Sequence, residues 1–223
     1  MKSLIFFGVI TLILLTATSC INELRARRDT LMSSEEWPTL YRFSQDDLWG
    51  FKDASGNIIL EPQFIVASNF SEGLAFVRLP DTDEGTGFID VNGNLVIPLP
   101  DIVQFVGGFS EGFAPIIIRK WNRATEFPHV MGPPGPAIFI DRTGQQVFGQ
   151  EFQSADPFSG GFARVSPYRG RVFFIDRTGQ NAFGKEFMFA DSFVGEYAWV
   201  TLLDGTRTYI DRRGNIVAGG LRP

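Results

Sequence analysis

Strand-length apolar stretches separated by polar turn clusters run through most of this chain, and their arrangement repeats. Phe174-Ile175 leads into Asp176-Arg177-Thr178-Gly179-Gln180, and the same seven residues stand at 139–145. Anchored on the Asp, the pattern recurs at Asp53, Asp90, Asp141, Asp176 and Asp211. Gly follows three residues later each time, at Gly56, Gly93, Gly144, Gly179 and Gly214, and Asn or Gln comes next. An aromatic residue stands two places before each Asp: Phe51, Phe88, Phe139, Phe174 and Tyr209. Such a stretch is a turn. The Asp carboxylate accepts from backbone amides two residues on, and Gly takes the positive φ that other residues avoid. Apolar residues on both sides, such as Ile58-Ile59-Leu60 after the first turn, predict a β-hairpin.

A second signature follows each of the first four hairpins. It reads Phe70-Ser71-Glu72-Gly73, Phe109-Ser110-Glu111-Gly112, Phe158-Ser159-Gly160-Gly161 and Phe193-Val194-Gly195-Glu196. Each copy turns the chain into a third strand. The leading Phe is predicted to fill the core at the same depth in every unit, with Phe64, Phe152 and Phe187 forming a second layer. Phe has no polar atom to satisfy, which suits it to complete burial. This accounts for 23 Phe against 4 Trp and 4 Tyr. Residues 39–43 read as a strand of the third kind placed before the first hairpin, and the last hairpin ends near Ala218. The expected fold is therefore all-β: about five three-stranded meanders over residues 39–218, each burying its aromatic face only against its neighbours. Three strands in about 35 residues fall short of a four-stranded propeller blade. An open or superhelical solenoid-like stack is expected, with a small propeller-like ring as the alternative.

The first unit, Leu48-Trp49-Gly50-Phe51-Lys52-Asp53 through Gly56-Asn57 to Glu61-Pro62-Gln63-Phe64 and on to Phe70-Ser71-Glu72-Gly73, resembles one full repeat of the WG-repeat family of bacterial proteins. The resemblance extends from Leu48 to about Val217. Later units depart from it: Thr86-Gly87, Ala137-Ile138, Val172-Phe173 and Arg207-Thr208 stand where the first has Trp49-Gly50. The resemblance implies a β-rich repeat domain and brings no catalytic motif.

The N-terminus is of another kind. Lys2 precedes a largely apolar run over residues 4–15, and Ala17-Thr18-Ser19 follow. Twelve residues are too few to span a bilayer, and the pattern predicts a signal peptide over residues 1–19. Cys20, the single cysteine, comes directly after. This order resembles a bacterial lipoprotein signal, which implies Cys20 as the lipid-bearing first residue of a membrane-anchored envelope protein. The small residues equally suit ordinary signal-peptidase cleavage and a secreted product. Residues 20–38, with Arg25, Arg27 and Arg28, read as a tether, and residues 39–223 as the β domain.

Charge and residue inventory narrow the function. Twenty basic against 25 acidic side chains give a net charge of −5, with no footprint for nucleic acid. One His and one Cys, far apart, offer neither a nucleophile–base pair nor a zinc set. Each turn holds one recurring Asp, three of them followed by Arg142, Arg177 or Arg212, which favours a structural turn over a calcium loop. Glu72 and Glu111 occupy equivalent repeat positions, which favours a shared structural cause. No enzyme activity, cofactor or metal is expected. The repeat is interrupted at residues 119–136, a long connection carrying Trp121, Phe127, His129 and Met131 as candidate partner contacts. The expected function is a non-catalytic interaction scaffold for an unknown protein partner in the cell envelope. A glycan- or peptidoglycan-binding module is the alternative.

Overall fold

The structure, a computed structural model, describes residues 37–80, 85–100, 103–118 and 135–217. The chain divides into two compact units, Met1–Trp37 and Pro38–Pro223, and every described strand lies in the second. The signal segment and Cys20 lie outside the described residues, as do Trp121, Phe127, His129 and Met131.

Among the described residues seventeen strands form five small antiparallel sheets, none closed into a barrel. The first holds β1 (Tyr41–Gln45), β2 (Leu48–Lys52) and β3 (Ile58–Phe64). The second holds β4 (Val66–Ala67), β5 (Ala75–Arg78), β6 (Thr86–Ile89) and β7 (Leu95–Pro98). The third repeats this with β8 (Val103–Val106), β9 (Phe113–Ile118), β10 (Ala137–Asp141) and β11 (Gln146–Phe152). The fourth has β12 (Ser154–Ala155), β13 (Phe162–Ser166) and β14 (Phe173–Asp176), and the fifth β15 (Phe189–Ala190), β16 (Tyr197–Thr201) and β17 (Arg207–Asp211). In these last two sheets the fourth strand is reduced to single bridges, Ile175 with Asn181, Val172 with Phe187, and Ile210 with Ile216.

The all-β, solenoid-like repeat expected from the sequence is the fold observed. Each sheet is a third-kind strand followed by the next hairpin, in the phase read from the sequence. The structure adds a short leading strand to every sheet after the first. One residue, Ile65, separates β3 from β4, and Gln153 separates β11 from β12. The chain thus bends directly from the last strand of one sheet into the first strand of the next.

The core is divided. Four apolar clusters each lie between consecutive sheets. At the centre of each, the Phe two places before a turn Asp meets the leading Phe of the following sheet edge-on. Phe51 meets Phe70 at 4.7 Å between centroids, Phe88 meets Phe109 at 4.8 Å, Phe139 meets Phe158 at 5.4 Å and Phe174 meets Phe193 at 5.1 Å. These tilted pairs set the electropositive ring edge against the electronegative face. Phe64, Phe152 and Phe187 are buried alongside. The leading aromatics do not all sit at one depth: Phe109, Phe158 and Phe193 are fully buried, whereas Phe70 is only partly covered. It packs on the first sheet, which has no short leading strand among the described residues.

The Trp-Gly pair of the first unit has a packing reason. A Cβ on Gly50 would lie 2.6 Å from the Leu60 carbonyl oxygen, at an irregularity between β2 and β3. Gly87 is pressed against Ile97 and Pro98 in the same way, so the second unit packs like the first without its Trp. The third unit places Ile138 there and opens its fourth strand instead, through left-handed Phe148 and Gly149.

Candidate interaction surface

Because strands alternate in direction, each full sheet has two unlike edges. The turns between first and second strands and between third and fourth strands share one edge, here the turn edge. The loops between second and third strands, and the links to the next sheet, share the other, the loop edge.

The turn edge is tightly sewn. Asp53 Oδ1 accepts the amides of Ser55 at 2.8 Å and Asn57 at 2.9 Å, and the Asn57 amide group donates to Oδ2 at 2.9 Å. Asp90 and Asp211 repeat the arrangement with Asn94 and Asn215. Asp141 and Asp176 add the hydroxyls of Thr143 and Thr178 at 2.6 Å. At Asp53, Asp176 and Asp211 hydrogen bonds to the ionised form hold the carboxyl below the usual range: from Asn57 chiefly at Asp53, from Thr178 at Asp176, and from the Asn215 amide at Asp211. At Asp90 partial burial pushes upward, and the Asn94 and Asn92 bonds outweigh it.

Four sets of contacts then join neighbouring sheets at this edge. Ser71 donates to the Phe109 carbonyl at 2.6 Å, Ser110 to Phe158 at 2.6 Å and Ser159 to Phe193 at 2.8 Å. The Glu72 carboxylate accepts the amides of Glu111 at 2.5 Å and Gly112 at 3.0 Å, and the Glu111 carboxylate accepts the Gly161 amide at 2.9 Å. Glu72 and Glu111 hold left-handed backbones, φ 51° and 55°, at the first central position of two-residue turns whose second position is a left-handed Gly. Arg142 reaches back to the Glu72 carbonyl, Arg177 to Glu111 and Arg212 to Gly160, at 2.7, 3.0 and 2.6 Å. Finally, a fourth-strand side chain covers the turn Gly of the next unit: Leu60 on Gly93, Ile97 on Gly144, Phe148 on Gly179 and Phe183 on Gly214. Gly56, in the first turn, has open space where a Cβ would go.

One further tie lies deeper. Arg164 on β13 donates from Nε and an η nitrogen to both oxygens of Asp156, at 2.7 and 2.8 Å, and Ser192 of the fifth sheet donates to Asp156 Oδ2 at 2.7 Å. Burial pushes the Asp156 carboxyl up, but the Arg164 and Ser192 bonds hold it below its ordinary value.

Exposed apolar side chains occur at both edges: Ile58, Ile59, Leu95, Val96, Val194 and Ile216 at the turn edge, and a further set at the loop edge. Ile65 and Val66 are exposed in the link between the first two sheets. Further along, Tyr168 is 54% exposed in the β13–β14 loop, Met188 and Phe189 are 51% and 48% exposed at the start of β15, and Leu203 is 56% exposed in the β16–β17 loop. Backbone pairing relates the middle of this series. Val172 bridges Phe187, which sets Arg171 beside Met188. The Met188 amide donates to the Thr201 carbonyl at 2.8 Å, and Phe189 faces Thr201, which in turn faces Arg207. The long connection carrying Trp121 and Phe127 leaves from Ile118 at the end of β9 and returns to Ala137 at the start of β10, on this same edge.

The structure therefore places the repeat residues Asp53, Asp90, Asp141, Asp176 and Asp211 with their glycines on the turn edge, and the leading Phe residues between sheets. It does not bring Glu72 and Glu111 together as a free acid pair; each serves the next turn. Among the described residues no group of three or more His, Cys, Asp or Glu stands close enough to hold a metal ion, and no helix is long and apolar enough to cross a membrane. The Tyr168–Leu203 run is absent from the sequence reading. Its trace in the sequence is Phe187-Met188-Phe189-Ala190, where an uninterrupted apolar stretch includes two exposed members.

Comparison with known proteins gives a family for part of the chain. A crystal structure of the computationally designed Ika8 protein is similar at 14% identity and a TM-score of 0.45, over 80% of this chain and 59% of that one. No curated protein matches the chain. The model of the WG containing repeat matches residues 49–79, 87–119 and 139–166. The first segment runs from the second strand of the three-stranded first sheet, and the other two from the third strand of their sheets, each to the second strand of the next sheet, across the junctions where the Phe pairs sit. Over its first three units, then, the chain carries the WG containing repeat.

Proposed function

We propose that this protein is an exported, non-catalytic interaction scaffold of the cell envelope, held to a membrane by lipid on Cys20, and that it receives a protein partner along its loop edge. The observation that carries the reading is that exposed apolar side chains at the loop edge stand where the repeat-breaking connection departs. On the turn edge the Ser, Glu and Arg groups are engaged with neighbouring sheets. On the loop edge Tyr168, Met188, Phe189 and Leu203 remain exposed, and the repeat-breaking connection with Trp121, Phe127, His129 and Met131 departs from that edge. Clustered exposed apolar side chains mark interaction sites, and Tyr, Phe, Met and Trp are favoured there. The test is in-cell crosslinking of the full chain beside two variants, one with residues 120–136 replaced by a short Gly/Ser turn and one with Met188→Ser and Phe189→Ser. A protein captured by the intact chain and lost from either variant supports the reading. Equal capture by all three removes the loop edge from it. Metabolic labelling with a fatty acid, abolished by Cys20→Ser, tests the anchor.

A glycan-binding reading keeps one observation in its favour. In the last sheet the positions held by Phe162 and Phe174 one unit earlier become Tyr197 and Tyr209, with Trp199 edge-on to Tyr209 at 4.8 Å. Tyr and Trp pair an apolar body with a polar tip. Retention on isolated cell wall, lost in Trp199→Ala, would favour this reading.

A further inference from the structure

The apolar run on the loop edge is edged by positive charge, although the chain as a whole carries −5. Arg169 and Arg171 are exposed in the same loop as Tyr168, and Arg207 is exposed across the sheet from Phe189 through Thr201. None of the three pairs with a carboxylate among the described residues. The guanidinium groups that serve the fold are all engaged: Arg142, Arg177 and Arg212 on turn carbonyls, Arg164 on Asp156. Two acids lie close by in sequence. Asp204 is committed to its own loop, accepting the Thr206 amide at 2.8 Å, and Glu186 directly precedes Phe187.

Resting on the loop-edge reading above, we propose that the fourth and fifth sheets receive a protein segment in which Asp or Glu flanks apolar residues. The apolar side chains would cover Tyr168, Met188, Phe189 and Leu203. The carboxylates would meet Arg169 and Arg171 at one end and Arg207 at the other. Arg offers a planar fork of donors matched to carboxylate, and it is enriched with aromatics and Met at protein interfaces. Charge complementarity of this kind sets partner choice and association rate more than area does. A protein segment fits better than an anionic bilayer, because Glu186 and Asp204 lie close by: a segment can set its few carboxylates beside the arginines alone, whereas a lipid surface presents anions throughout.

The experiment places a photo-crosslinking amino acid at Leu203 in the full chain, in its own cells, and identifies the crosslinked segment by mass spectrometry. The expected result is an acidic-apolar segment. Made as a synthetic peptide, it binds the purified chain, and its Kd rises about tenfold or more in Arg171→Glu and in Arg207→Glu. Arg213→Glu, on the turn edge, leaves the Kd unchanged, and all three variants melt within a few degrees of the parent. A neutral or basic crosslinked segment, or a Kd indifferent to the two Arg substitutions, overturns the proposal and leaves the loop-edge scaffold standing. Absence of protein crosslinks from Leu203 overturns both. Binding to phosphatidylglycerol-containing vesicles, weakened by Arg171→Glu, with no protein crosslink, would assign the surface to a membrane instead.

Discussion

The Ser159 hydroxyl donates to the Phe193 carbonyl at 2.8 Å, and there the series stops. The residue equivalent to Ser159 in the next turn is Val194, which has no donor and is 84% exposed. Its turn differs as well: Gly195 keeps the positive φ of the earlier turns, while Glu196 does not follow Gly73, Gly112 and Gly161 into it. Among the described residues, this turn lacks the Ser donor and the second left-handed position of the earlier ones.

The Ser contacts should carry measurable stability. In Ser110→Ala or Ser159→Ala a part-buried carbonyl loses its donor, a change worth about 1–2 kcal/mol. Urea unfolding should report that loss for each. Val194→Ser, with no carbonyl to reach among the described residues, should change stability by less than about 0.5 kcal/mol.

The turn glycines should divide by what stands over them. Gly56 and Gly179 have nearly equal φ, 89° and 81°, but an added Cβ meets nothing at Gly56 and lies 2.5 Å from Phe148 Cβ at Gly179. Ala at Gly56 should cost about 1 kcal/mol, the left-handed penalty alone. Ala at Gly179 adds overpacking of a further 1–3 kcal/mol or so. Equal midpoint shifts for the two would show that Phe148 moves aside freely.

Acid should weaken the repeat through its turns. The Asp53, Asp90, Asp176 and Asp211 carboxyls lie below their unfolded values, so the folded chain binds fewer protons in the acid range. Stability from these groups is fully present above the unfolded pKa, about 3.9, and is lost as pH falls through the folded values. Urea midpoints measured from pH 6 down to pH 3 should fall across that window. In Asp176→Asn the decline should be shallower, since the amide cannot titrate.

The Asp156–Arg164 pair should behave as a unit. It is bidentate and mostly shielded, with side-chain exposures of 31% and 21%. Removing either partner leaves the other part-buried without its charge-assisted bonds, at about 1.5–3 kcal/mol. The Asp156→Ala/Arg164→Ala double variant should lose less than the sum of the singles. Ser192→Ala should lose a smaller amount, because Arg164 still satisfies Asp156.

The hairpins are legible in the sequence because their chemistry is local. An Asp that must cap amides two and four residues on, and a Gly that must turn left-handed, stand at fixed offsets whatever surrounds them. Stretches such as Val66-Ala67 and Phe189-Ala190 are too short to show a two-residue period, so the leading strands escape a reading by pattern. The contacts between sheets escape for another reason. Leu60 and Gly93, or Arg177 and Glu111, are far apart in the chain, and nothing in a single Leu or Arg announces its distant partner. The loop-edge residues are hidden by their neighbours: Met188 and Phe189 lie between buried Phe187 and buried Ala190, and composition cannot separate them.

The unlike end units constrain how such a chain can lengthen. A duplicate of an inner unit, inserted between the third and fourth sheets, would arrive with its Ser, its post-turn Arg and a fourth-strand side chain to lie over the next Gly. It could join both neighbours at once. A duplicate appended after Val217 would meet Val194, which offers no side-chain donor to its leading carbonyl, and Tyr197 and Tyr209, hydroxyl-bearing rings where the preceding unit has Phe162 and Phe174. Growth by gene duplication is therefore favoured in the interior, where residues 139–145 and 174–180 are already identical.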